Sequence, residues 1–252
     1  MYFSLISPVE GLEHQAAYAR NTDPNDSHRW LWRFMPDSSG KSDGFLYHLR
    51  QDKNRGNLFY MLSDERPVSP DSCWQAQSRE FAPQFKEGMQ LAFELRANPV
   101  VTRPRTDGAL NPAGKTRGSR HDVVMDMKKR LLQERGLAEW RDWLPGRCGA
   151  DGQPDPRPTL DQVVQDAAPQ WLMRQAERNG FLVDKEEVVA SAYTQYRLPR
   201  KKEVRDLRFS SVDFSGVLTV TDPAKLLDAL HQGLGKSKAF GCGLLLVKPI
   251  AS

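Results

Sequence analysis

The sequence predicts an α+β protein in which one order of elements, β-α-β-β-α-β, runs twice. Three observations carry this. Alternating segments, such as Phe45, Tyr47 and Leu49 against Leu46, His48 and Arg50, mark half-buried strands. Helical segments with recognisable starts and stops separate them. The second half then repeats the element order of the first without repeating its sequence. A unit of this order is ferredoxin-like. The expected architecture is therefore two tandem ferredoxin-like domains, residues 1–87 and 88–252.

In the first unit, residues 2–6 make the opening strand and Pro8 closes it. A polar segment leads to Thr22-Asp23-Pro24-Asn25-Asp26-Ser27, a turn that starts a helix with Asp26 or Ser27 as N-cap. Leu31, Phe34 and Met35 share one helical face, and Pro36 stops the helix. Strands over 44–51 and 57–63 come next, joined by a hairpin-like link at 52–56. A poorly marked stretch runs to residue 85, and Lys86-Glu87-Gly88 turns the chain.

The second unit opens with a strand over 89–95. A basic loop precedes a helix over 122–135, whose Val124, Met127 and Leu131 face one way. Beyond that helix the chain is punctuated by Pro145, Gly146, Gly149, Gly152, Pro154, Pro156 and Pro158, so a surface insertion is expected over 136–168. Helical patterns cover 160–167 and 169–178. Strands over 188–196 and 207–220 flank a basic hairpin tip. A last helix over 223–232 ends at Gly233, and a glycine-rich turn feeds the final strand at 244–247.

The net charge is only +4, so its placement matters more than its size. Residues 103–130 hold eight basic and three acidic side chains, among them Arg103, Lys115, Arg117 and Arg120. The hairpin tip carries Arg197, Arg200, Lys201 and Lys202. Lys236 and Lys238 stand beside Gly235 in the glycine-rich turn, where exposed N–H groups and lysines suit a phosphate. Each patch alone reads equally as a solvated surface; the three together point to nucleic acid. A basic hairpin can reach the phosphates of an A-form stem, whose major groove is too narrow for base readout. The turn is not a P-loop: Leu230 stands where that motif needs glycine, and the order helix, loop, strand is reversed.

Histidine is the side chain suited to moving protons near neutral pH. His28, at a helix start beside Arg29, is the first candidate and His121 the second; His14, His48 and His231 read as ordinary surface or sheet residues. No metal-ligand spacing or serine nucleophile elbow is present, so neither metal nor cofactor is expected. Cys73, Cys148 and Cys242 are odd in number and far apart, which fits reduced thiols in the cytoplasm. No apolar run approaches the ~18 residues of a membrane span.

Four stretches, in order, carry a resemblance. They are His28-Arg29-Trp30-Leu31-Trp32-Arg33-Phe34-Met35-Pro36, then Phe93-Glu94-Leu95-Arg96-Ala97-Asn98-Pro99, then Phe214-Ser215-Gly216-Val217-Leu218-Thr219-Val220-Thr221-Asp222, and finally the turn from Gly233 through Leu245. The chain resembles the CRISPR repeat-processing endoribonucleases of the type I-E Cascade complex, the CasE family. The resemblance implies tandem ferredoxin-like domains and metal-independent cleavage at the 3′ base of the repeat hairpin. It also implies retention on the crRNA hairpin as a Cascade subunit. It places the catalytic residue at His28 and the family's basic hairpin at residues 197–202. Arg29, Lys236 and Lys238 are then candidates for stabilising the reacting phosphate. Familiar members carry a tyrosine three residues before the histidine; this sequence has Asn25. That departure keeps a second expectation in play, an inactive subunit that binds the RNA hairpin without cutting it.

Overall fold

The computed structural model describes residues 1–20, 26–36, 44–104, 118–149, 151–198 and 206–250. Its first half holds β1 (Tyr2–Pro8), α1 (Glu13–Ala19), α2 (Ser27–Leu31), β2 (Phe45–Asp52), β3 (Gly56–Ser63) and β4 (Trp74–Glu80). A 3-10 turn, Trp32–Phe34, continues α2. The four strands form one antiparallel sheet in the order β2-β3-β1-β4. Alternation sorts its side chains. Ile6, Tyr47, Phe59 and Met61 turn inward and pack with Trp30, Leu31, Phe34 and Trp74. Trp74 fixes α1 to the sheet by donating its indole N–H to the Ala16 carbonyl at 3.2 Å. The β2–β3 hairpin closes where Asp52 accepts hydrogen bonds from the Asn54 and Arg55 amides, both at 2.9 Å.

The second half holds β5 (Gln90–Ala97), β6 (Val100–Pro104), β7 (Gly118–Asp122), α3 (Val123–Glu134), α4 (Leu160–Arg178), β8 (Phe181–Val183), β9 (Val189–Leu198), β10 (Leu207–Val220), α5 (Pro223–Gln232) and β11 (Leu245–Pro249). Its sheet runs β11-β5-β10-β8, with β9 also paired to β10. Leu91, Phe93, Leu95, Phe214 and Leu218 face inward under α4 and α5, with Trp171 and Leu172 at the centre. Asp26 is the N-cap residue of α2 but makes no side-chain cap hydrogen bond, whereas the helices of the second half are capped by side chains. Asp122 accepts from the Val124 and Met125 amides to start α3, Thr159 and Gln162 form a capping box on α4, and Asp222 with Pro223 starts α5.

Several expectations are corrected. The polar segment after β1 contains α1, a short helix that buries only Ala16 among its described side chains. The poorly marked stretch contains β4, an edge strand, and residues 64–73 reach it without a helix. The described ends of the basic loop are paired strands, β6 and β7. The two helical patterns at 160–178 are one helix that carries Pro169 inside it. Residues 160–168 thus belong to a core-facing helix, and only 136–159 form the surface excursion. Trp143 moors that excursion from a buried position, with its indole N–H donated to the Asp155 carbonyl at 2.8 Å.

The halves meet where Leu46 and Leu62, on the outer face of the first sheet, bury against Leu244. His48 is buried on that same face.

Candidate nucleic-acid interface and catalytic site

His28 stands on the first turn of α2, one residue after the buried Ser27. The helix start is held from behind: the Arg20 guanidinium donates to Ser27 Oγ at 3.0 Å and lies over the Phe59 ring, 4.7 Å from its centroid. The imidazole rests against Phe45, with ring centroids 4.9 Å apart, and meets Trp32 edge-on at 6.0 Å. The Tyr47 ring is 6.4 Å away. Partial burial pushes the His28 pKa below the ordinary histidine value, because the charged form loses hydration. The lost hydration favours the neutral ring, the form that can accept a proton.

The glycine-rich turn reaches the same place from the other end of the chain. Both α2 and β2 lie against its 3-10 segment, Lys238–Phe240. Tyr47 donates its hydroxyl to the Ala239 carbonyl at 3.1 Å. Burial raises the Tyr47 pKa, so the phenol stays protonated. Gly241 makes the approach possible: its φ is +74°, and a Cβ there would sit 3.0 Å from the Tyr47 ring. The turn is fixed at its far side by Asn98, which is buried and donates to Ser237 Oγ at 2.7 Å.

The candidate cations distribute unevenly around this seam. Arg29 is 87% exposed on α2, 4.0 Å from Asp26. Lys236 is exposed on the turn. Lys238 is half-buried, and its ammonium donates to the Gln232 carbonyl at the end of α5. Burial, then the neighbouring Lys236 charge, lowers its pKa. Gly235 has a packing role, since a Cβ there would press the Trp171 ring at 3.2 Å. Arg197 pairs with Asp206 across the base of the hairpin. Arg103 lies on β6, bound to Asp126 at 2.9 Å, and Arg120 is exposed on β7. Lys115, Arg117, Arg200, Lys201 and Lys202 lie outside the described residues, as does Asn25. His121 is in a separate place, 2.6 Å from Ser119 Oγ and 3.5 Å from Asp126. Among the described residues no group of three or more histidine, cysteine or acidic side chains is arranged to hold a metal.

One arrangement was missed by sequence reasoning. Tyr196 on β9, Phe209 on β10 and Phe240 in the turn form a continuous ring stack, with centroids 4.6 Å apart at each step. This stack fastens the root of the basic hairpin to the turn that abuts His28. The alternation of β9 and β10 placed Tyr196 and Phe209 on faces, yet nothing local told which ring of the turn they would meet.

The fold is α+β with two principal antiparallel sheets, and its seam sets a partly buried histidine beside a lysine-bearing turn whose Phe240 stacks on the root of the β9–β10 hairpin. Residues 1–249 match the family of CRISPR associated proteins, and the chain belongs to that family. It is 26% identical over 235 residues to the CRISPR system Cascade subunit CasE of Escherichia coli strain K12, spanning 93% of this chain and 96% of the relative. It is 36% identical over 89 residues to the CRISPR-associated endoribonuclease Cse3 of Thermus thermophilus, 31% of this chain and 41% of that one. The structure of Cse3 bound to a 19-nucleotide RNA shares the fold, with a TM-score of 0.62 at 22% identity over 99% of this chain and 100% of that one.

Proposed function

We propose that this protein is a metal-independent endoribonuclease that cuts CRISPR precursor RNA at the 3′ base of the repeat hairpin and stays with the crRNA as a Cascade subunit. The observation that carries the reading is the position of His28, held against Phe45 at the edge of the lysine-bearing turn, where burial favours its neutral form. The relatives' names, a Cascade subunit and an endoribonuclease, give the substrate class and the assembly. Tandem ferredoxin-like units are part of the proposal. Leaving aside β9, which pairs β10 off the main path, the first strand of each sheet lies between the third and the last, as β2-β3-β1-β4 and β11-β5-β10-β8. The first unit departs by lacking a helix before β4.

The chemistry starts from what RNA brings. Its 2′-hydroxyl is the nucleophile. His28 accepts that proton as the 2′-oxygen attacks the adjacent phosphorus. The P–O5′ bond breaks, and the departing 5′-oxygen takes up a proton. The products are a 2′,3′-cyclic phosphate and a 5′-hydroxyl, and no water enters the step. Lys236, Lys238 and Arg29 are the cations on hand for the charge that builds on phosphorus. The Tyr47 hydroxyl is committed to Ala239, so its part is to position the turn. Arg103, Arg120 and Arg197, together with the hairpin tip, hold the stem by its phosphates.

The test is incubation with the host's repeat RNA in EDTA, with His28→Ala alongside. The parent alone should cut, once, at the stem base, and a single 2′-deoxyribose at that position should stop cleavage while leaving binding intact. Cleavage of the deoxy substrate would sink the mechanism. Tight hairpin binding by the parent without scission would give the protein the role of a binding subunit instead.

A further inference from the structure

We propose that the cleft between the two sheets binds a single-stranded stretch of RNA, on the face of the first sheet opposite His28. The inference rests on the function proposed above only in choosing RNA as the nucleic acid.

The register defines the surface. Phe3 pairs with Leu62 and Arg79, and Leu5 with Tyr60, so these side chains share the outer face of the first sheet. His28 packs with Phe45 and Tyr47, which alternate onto the inner side. On the outer face Phe3 and Tyr60 stack, with centroids 6.0 Å apart and planes 20° from parallel. They belong to β1 and β3, the two central strands. Rings on the two central strands of a four-stranded antiparallel sheet are the means by which that architecture stacks unpaired bases. Neither ring is fully buried.

The opposing wall leaves room. Phe3, Tyr60 and Phe81 of the first half and Ala92, Ser215, Gly216, Leu244 and Leu246 of the second line a cavity of about 430 Å³ between the sheets. Its rim is cationic. Arg50, Arg79 and Lys248 line it; Arg50 is paired with Glu94 at 3.8 Å, and the Arg79 guanidinium lies over the Phe3 ring at 5.5 Å, so Arg79 and Lys248 carry the excess charge. All three basic side chains are exposed. Flat rings inside a basic rim suit stacked bases with their phosphates outward. An apolar protein helix would need no such cations.

The experiment uses the full chain and a short single-stranded RNA that carries 5-iodouridine and cannot form a hairpin. Affinity is read by fluorescence anisotropy at fixed salt, and the crosslinked residue is read by mass spectrometry. Two variants accompany the parent. Phe3→Leu with Tyr60→Leu keeps apolar volume and removes the rings. Arg79→Ala with Lys248→Ala changes only exposed positions. Each should weaken binding at least about fivefold, crosslinks in the parent should map to Phe3 or Tyr60, and cleavage of a minimal hairpin should be unchanged in the Arg79→Ala, Lys248→Ala variant. Failure of the parent to bind the oligonucleotide, equal affinity in all three proteins, or crosslinks confined to β9 and β10 would overturn the assignment. So would loss of co-purifying Cascade subunits in variants that bind the oligonucleotide normally, which would give the cleft to a protein. Because this RNA has no hairpin, its result is independent of whether the chain cleaves hairpins.

Discussion

Two histidines, the half-buried His28 and the buried His48, owe their lowered pKa values first to lost hydration, yet they report different things. His28 is open enough to meet a substrate, so its titration should appear in catalysis. A base must be neutral to act. Single-turnover cleavage should rise with pH through an apparent pKa below about 6.5 and then stay level through neutrality. A profile that falls over that range would make His28 the acid. His48 is only 8% exposed, and its Nδ1 has no hydrogen-bond partner among the described residues. Burial, with the Arg96 charge adding to it, pushes its pKa down to about 4. The unfolded chain therefore binds more protons than the folded one between about pH 6.5 and 4. Stability on this account is complete above that window and is lost as pH falls through it, by an amount on the order of 3 kcal/mol. His48→Gln should flatten the dependence of urea midpoint on pH across the window, whatever its effect on the midpoint at pH 7. An unchanged slope would show that His48 binds its proton equally well in the folded and unfolded chain.

The elements differ in how much of themselves they wrote into the sequence. The long β10 and the helix α5 could be read to the residue, because β10 is a fourteen-residue run rich in β-branched and aromatic residues and Asp222, Pro223 and Gly233 mark a start and a stop for α5. α1 could not, since seven residues with no side-chain cap carry too little periodicity. β4 hid behind Gln75, Gln77, Arg79 and Glu80, polar residues that an edge strand tolerates. α4 runs through Pro169, where local propensity argues for a break and the buried stripe Val163, Val164, Ala167, Ala168, Trp171 and Leu172 outweighs it. The candidate site was half legible: His28 and the lysines stood out by residue type, whereas their meeting depends on contacts between chain ends. The stack of Tyr196, Phe209 and Phe240 belongs to that hidden half. Phe209→Ala removes the middle ring and both stacked pairs, each worth about 0.5–1.5 kcal/mol beyond the area they bury. It should raise the KM for hairpin RNA more than it lowers kcat, because the hairpin loses its anchor while His28 keeps its own. Phe209→Tyr should restore the parent KM; a stack that matters only for stability would move melting temperature and leave KM alone.

At the scale of the whole molecule, the proposed catalysis and the cohesion of the two halves use the same junction. His28 comes from the first half and the lysine turn from the second, so the seam exists only while the sheets stay docked. The docking surface is small and apolar at its centre, where Leu46, Leu62 and Leu244 are buried together. It is polar at its edges, where Tyr47 holds Ala239 and His48 lies in the field of the Arg96–Asp213 pair. Each half has a separate core beneath its own sheet. A loss at the junction should therefore loosen the halves without dissolving either. Leu244→Ala opens a cavity at the most buried point of the contact, at a cost of about 2–5 kcal/mol. Calorimetry should then resolve two transitions where the parent shows one. The same variant should cleave far more slowly under single-turnover conditions, even at saturating RNA, since substrate bound to the second half no longer finds His28 in place. A matched deletion inside one core, Leu172→Ala, should lower stability by a similar amount while the two halves still unfold together and cleavage below the transition stays near the parent rate. If Leu244→Ala instead melts in one step and cuts normally, the halves hold together through contacts other than this junction.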